Sequence, residues 1–193
     1  VTTTPEEVFS CQATELRRAT TGNIPWWDAR QYLQDVRSGN TSVVEVLRGL
    51  VVLLFNKAQG ANRRFLPNML FIQGGERYPF IPGRLTKTPK ETLALKPGDL
   101  VRVKSKEEIF KTLDRENRNR GLSFDVEMLR YCGREARVLD RVQKIIDERT
   151  GRMLQIRSDC IILEGVFCRA DYHLFCSRST YHYWREIWLE KVG

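Results

Sequence analysis

Apolar and polar positions change period along the chain, and the change divides it into a helical first part and a β-rich second part. The most apolar stretch is Val43–Phe55, VVEVLRGLVVLLF. Ser42 and Glu45 have the spacing of a capping box, so a helix is predicted to begin at Val43. At about 13 residues the stretch is too short to cross a bilayer, which takes ~20, and it carries Glu45 and Arg48. Two readings stand side by side. The helix is buried in a core, or it lies on an anionic membrane surface with Lys57, Arg63 and Arg64 as a cationic edge.

Residues 1–23 are Thr-rich and without period, apart from a short candidate helix from Pro5 to Arg18. They are expected to form a loose arm, with Cys11 in it. The chain opens on Val1 and not on Met, which leaves a leader segment upstream open. A helical segment is expected over 24–66. A connector over 67–97 follows, punctuated by Gly74-Gly75, Pro79, Pro82-Gly83 and Pro89, with a short strand expected near Met69–Gln73.

From residue 98 the period falls to 2. Lys96-Pro97-Gly98-Asp99 reads as a turn leading a strand, Leu100–Lys104. Ser105 with Glu108 caps a predicted helix from Lys106 to about Asp114, with Ile109, Phe110 and Leu113 on one face. Arg115–Gly121 reads as a basic loop able to meet an anionic partner, and Asp125 caps a short helix, Val126–Tyr131, ended by Cys132-Gly133. Arg134–Asp147 and Arg152–Leu163 are expected to pair about a turn at Asp147–Gly151. On alternation, Ala136, Val138, Val142 and Ile146 share one face, and so do Leu154, Ile156, Cys160 and Ile162. The aromatic C-terminus, with Trp184, Ile187 and Trp188, reads as a packed closing segment whose helical or extended character stays open.

The "PGD-x-V-x-V" start resembles the opening of SH3-like small β-barrels. The fold expected is therefore α+β: a helical N-terminal part followed by a small SH3-like β-barrel over 98–193, with short helical insertions. On a larger scale the chain resembles a set of bacterial proteins of unknown function encoded beside glycosyltransferase or other biosynthetic genes. That resemblance runs from Pro25-Trp26-Trp27-Asp28-Ala29-Arg30 through Tyr183-Trp184-Arg185-Glu186-Ile187-Trp188. It implies an accessory role.

Composition sharpens one point. The chain has 193 residues, a net charge of +8 and five cysteines. The length suffices for a core without disulfides, and the basic balance permits a protein, an anionic membrane surface or nucleic acid as partner. With Cys11 set aside in the arm, Cys132, Cys160, Cys168 and Cys176 remain, at intervals of 28, 8 and 8 residues. Four thiolates are the ligand set of a structural zinc site or an iron–sulfur cluster, with His173 as a substitute ligand. Buried free cysteines are the plainer account, and a disulfide such as Cys168–Cys176 a further one. Cys176 with His173 or His182, oriented by Asp171 or Glu186, is the enzymatic alternative. No phosphate loop, dinucleotide fingerprint or HExxH motif is present, so no reaction can be named. The expectation is a zinc-stabilised accessory or binding protein in the cytoplasm, at the membrane periphery in one reading.

Overall fold

The computed structural model describes residues 8–10, 15, 19, 24–25, 27–65, 67, 72–75, 77–147, 150–169, 172 and 180–192. Its helices and antiparallel sheets make the chain an α+β protein.

Helix α1, Ala29–Arg37, starts where Asp28 accepts the Arg30 N–H at 3.1 Å. Helix α2, Val43–Phe65, carries the predicted capping box: the Ser42 N–H donates to the Glu45 carboxylate at 2.9 Å, and the Glu45 N–H donates back to the Ser42 hydroxyl at 3.2 Å. It runs ten residues past Phe55, because Asn56–Gly60 offers no proline to stop it. A single 3-10 turn, Ile72–Gly75, follows.

The β-rich part is ordered by local signals. Strand β1, Leu100–Val103, buries Val101 and Val103 and exposes Arg102. Ser105 closes a full capping box with Glu108 on helix α3, Lys106–Phe110, which buries Ile109. Strands β2, Arg118–Asn119, and β3, Leu122–Ser123, form a two-residue hairpin, so the predicted basic loop is a tight turn. Arg120 and Gly121 take φ of +48° and +81° at its tip, as a twisted hairpin turn requires. Strands β4, Glu135–Arg141, β5, Lys144–Ile146, β6, Met153–Gln155, and β7, Ile161–Leu163, make up the predicted hairpin in two ladders, β4 with β7 and β5 with β6. Its turn ends on Gly151, with φ +73°. The Phe9 N–H of the N-terminal arm donates to the Gly151 carbonyl at 2.8 Å. Strand β8, Leu189–Lys191, completes a four-stranded antiparallel sheet in the order β7-β4-β1-β8.

The facing expected from alternation changes at one residue. Val138 pairs with Leu163, but Asp140 pairs with Ile162, so Leu139 is an extra residue in β4. The bulge moves the inward set from even to odd positions. On β7, Leu163 lies opposite the inward Val138, so Leu163 and Ile161 are fully buried and Ile162 is not; beyond the bulge it is Arg141 that faces inward, opposite Ile161. Cys160 is buried as expected, but it sits in the bend before β7 and not on the strand's apolar face.

The core gathers Val101, Val103, Ile109, Leu113, Phe124 and Met128 around Trp184 and Trp188. Phe124 meets both indoles edge to face, at 6.3 and 5.3 Å between ring centres. The aromatic C-terminus is thus a packed closing segment. It is helical and extended in turn, with a 3-10 turn at Glu186–Trp188 running directly into β8.

No sheet closes into a barrel among the described residues. The strands of the four-stranded sheet are three to seven residues long, and β7 and β8 stand at its two edges. One bridge, Ile161 with Trp184, reaches from the β7 edge to the segment that then crosses to β8.

Candidate functional site

The four-cysteine metal site does not form, and this corrects the expectation. Among the described residues no group of three or more His, Cys, Asp or Glu side chains is placed to hold a metal ion. Geometry gives the reason. Cys132 closes the 3-10 turn Val126–Tyr131, ahead of the first residue of β4. The Cys160 carbonyl accepts the Val142 N–H, just past the last residue of β4. Six strand rises, roughly 20 Å, stand between those two ends, whereas thiolates sharing a zinc each lie about 2.3 Å from it. The Cys168 N–H donates to the Thr180 carbonyl at 2.8 Å, beside the Phe167–Tyr181 bridge. Cys176, His173, Asp171 and Cys11 lie outside the described residues. Zinc or an iron–sulfur cluster on this set is therefore not supported.

Burial explains the thiols better. Desolvation pushes Cys132 up to about 11, with the negative charge of Glu107 adding to it, and desolvation likewise pushes Cys160 up to about 11. Both are held as neutral thiols, the opposite of what a nucleophile needs.

The other candidates of the enzymatic reading are occupied in structural work. Glu186 is fully buried, and its carboxylate accepts the backbone N–H groups of Leu93, Ala94 and Leu95 at 2.5, 3.1 and 3.3 Å. The inward-facing Arg141 pairs with the same carboxylate. Arg185, beside it, donates to three backbone carbonyls, those of Asn119, Arg120 and Asp159. His182 is buried edge-on against Tyr131. The most distinctive sequence motif of the C-terminus is therefore a lock on the fold.

Among the described residues, α2 carries a row of exposed large apolar side chains. Val43, Val44, Leu47, Val51 and Leu54 are between 56% and 74% exposed. At 100° per residue these five fall within an arc of roughly 100°. Ala58 and Ala61, also exposed, prolong it. Arg48 and Lys57 are exposed on either side, each roughly 40° beyond the edge of the arc on the same geometry. The reading of α2 as a core helix is thus corrected: its buried residues, Val46 and Gln59, lie outside this arc.

A groove runs beside the arc. Its volume is about 680 Å³, and Val51, Val52 and Phe55 of α2 face Ile72, Tyr78 and Phe80 across it. Polar bonds fix the second wall. The Asn56 amide donates to the Tyr78 carbonyl at 2.9 Å and accepts the Tyr78 N–H at 2.7 Å. Gln59 donates to the Ile72 carbonyl at 2.8 Å. Phe80 packs edge to face on both Phe55 and Tyr78. Sequence reasoning passed over this wall because it lies in a stretch read as connector. The signal available was the apolar cluster Tyr78-Pro79-Phe80-Ile81.

Among the described residues no helix is long and apolar enough to cross a membrane. Comparison of the chain with protein-family models, with curated proteins and with solved structures gives no match.

Proposed function

We propose that the chain is a non-enzymatic accessory module that attaches reversibly to an anionic membrane surface through the apolar face of α2. The observation that carries this is the continuous exposed arc from Val43 to Leu54 with a cation on each side. A helix lying in the plane of a bilayer has this design: apolar side chains enter the headgroup boundary while flanking Lys and Arg stay with anionic lipid. Full burial of an aliphatic side chain is worth ~1.5–3 kcal/mol. Five that are already partly covered supply on the order of 5 kcal/mol, comparable with a single lipid anchor, and each nearby cation adds about 1 kcal/mol. The attachment is therefore reversible and weakened by salt.

We propose further that the β-rich part is an SH3-like scaffold. The "PGD" turn into β1 supports this, as does the path of the C-terminal segment from the β7 edge through a 3-10 turn to β8. The resemblance to bacterial proteins encoded beside biosynthetic genes agrees with an accessory role.

Flotation tests the membrane reading. The protein should rise with phosphatidylglycerol vesicles at low salt, and less at high salt or with neutral vesicles. The double variant Val51→Glu, Leu54→Glu should stay at the bottom with an unchanged melting temperature, since both side chains are exposed. Wild-type protein left at the bottom at low salt would end the proposal.

A further inference from the structure

The groove beside α2 goes beyond membrane attachment, because its shape and chemistry suit a ligand in solution. We propose that it is a binding site for a single-chain anionic amphiphile: a linear alkyl chain seated between Val51, Phe55 and Phe80, with its head on Arg48.

The walls are set before any ligand arrives. The two hydrogen bonds from Asn56 to the Tyr78 backbone, and the one from Gln59 to the Ile72 carbonyl, fix the spacing of the groove through polar contacts. The apolar side chains above those contacts are left facing open volume. About 680 Å³ lies within the ~300–1,000 Å³ of small-molecule sites. A preformed cleft gains the burial of the ligand without the cost of ordering its own walls.

The lining selects the chemistry. Aliphatic and aromatic carbons make up nearly all of it, so a sugar, nucleotide or peptide backbone would lose its hydrogen bonds to water and regain none. An alkyl chain loses nothing. Among the described residues, Arg48 supplies the one charge at the groove. It is exposed and, among the described residues, makes no ion pair, and the nearest carboxylate of the helix, Glu45, is held by Ser42. A free guanidinium at the mouth of an apolar cleft favours a carboxylate or phosphate head over a cationic one. A fatty acid and an alkyl phosphate share that chemistry.

Calorimetric titration with dodecanoate, dodecyl phosphate and dodecyltrimethylammonium, each below its micellar concentration and without vesicles, tests the proposal on the full chain. At least one of the two anions should bind saturably at one per chain. Dodecanoate alone would mark a fatty-acid site, and dodecyl phosphate alone a phosphate-headed one. The cation should bind about threefold or more weakly, the size of a partly exposed ion pair, and Arg48→Glu should reverse that order. Val51→Trp fills the groove from an exposed position, and Val44→Glu places a charge on its wall. Each should weaken anion binding at least tenfold at an unchanged melting temperature. The site does not exist if neither anion saturates, if anion and cation bind alike, or if both groove variants bind as wild type does. Binding in solution without flotation would retain this site and remove the membrane reading, and the reverse result would do the opposite.

Discussion

Arg185 and Glu186 are neighbours in sequence, opposite in charge and almost completely buried. Each would be costly to bury alone. They are tolerated because the backbone supplies complementary partners, three carbonyls for the guanidinium and three N–H groups for the carboxylate. The bulge at Leu139 adds the last partner by turning Arg141 inward. Removing one member leaves the others buried and uncompensated, which typically costs ~3–5 kcal/mol. Glu186→Ala should therefore destabilise the protein by about that amount in urea denaturation. A loss below about 1 kcal/mol would mean that water reaches the site and that the lock is a surface feature. Glu186→Gln should recover little, because it removes the charge that Arg141 needs and turns an NH2 toward backbone donors.

At the scale of elements, the segment after the groove is tied down by a glycine. A Cβ added to Gly83 would lie 2.0 Å from the Asp114 carbonyl and 2.8 Å from the Asn117 amide oxygen. This close approach lets Arg84 and Leu85 donate to the Leu113 carbonyl at 3.1 and 3.0 Å. Gly83→Ala should cost about 1–3 kcal/mol in thermal or chemical denaturation, as overpacked sites do, although no side-chain contact is lost. Gly60→Ala, where a Cβ meets nothing, is the matched control and should be neutral or stabilising. The elements legible in the sequence were those with local signals: the turn before β1, the boxes Ser42/Glu45 and Ser105/Glu108, the stop at Gly133 and the turn at Gly151. The features that were not legible depend on what lies across the fold. Hydropathy shows that Val43–Phe55 prefers an apolar environment, but not that the fold leaves one face of it uncovered. Counting cysteines along the chain cannot show that β4 separates two of them. Alternation likewise carries no sign of the extra residue at Leu139 that changes which side chains face inward.

For the whole molecule, charge sets a pH window. Backbone and side-chain hydrogen bonds from Ser42, Lys96 and Ser105, together with the ion pair to Lys191, hold Glu45, Asp99 and Glu108 below their ordinary values. A carboxylate lowered in the folded state contributes stability above its unfolded value, and that stability is lost as pH falls through the folded one. The two desolvated thiols, buried Cys160 and half-buried Cys132, work in the opposite direction: raised from 9.0 to about 11, they contribute stability below pH 9.0 that is lost as pH rises through about 11. The melting temperature should thus be highest between about pH 5 and 9 and fall on both sides, more steeply in acid, where the net charge of +8 grows further. Cys160→Ala should flatten the alkaline limb. A limb that is unchanged would show that the Cys160 thiol is not protected from water.

The lock at Arg185 and Glu186 also has a consequence in time. Its partners lie 91 to 93 residues back at Leu93–Leu95 and 26 to 66 residues back at Asp159, Arg120 and Asn119. Strand β8, which covers one edge of the sheet, follows the lock immediately. A nascent chain therefore cannot finish this sheet before Trp184–Lys191 has emerged from the ribosome. Until then the strands before it keep an apolar face that Trp184–Lys191 has yet to cover.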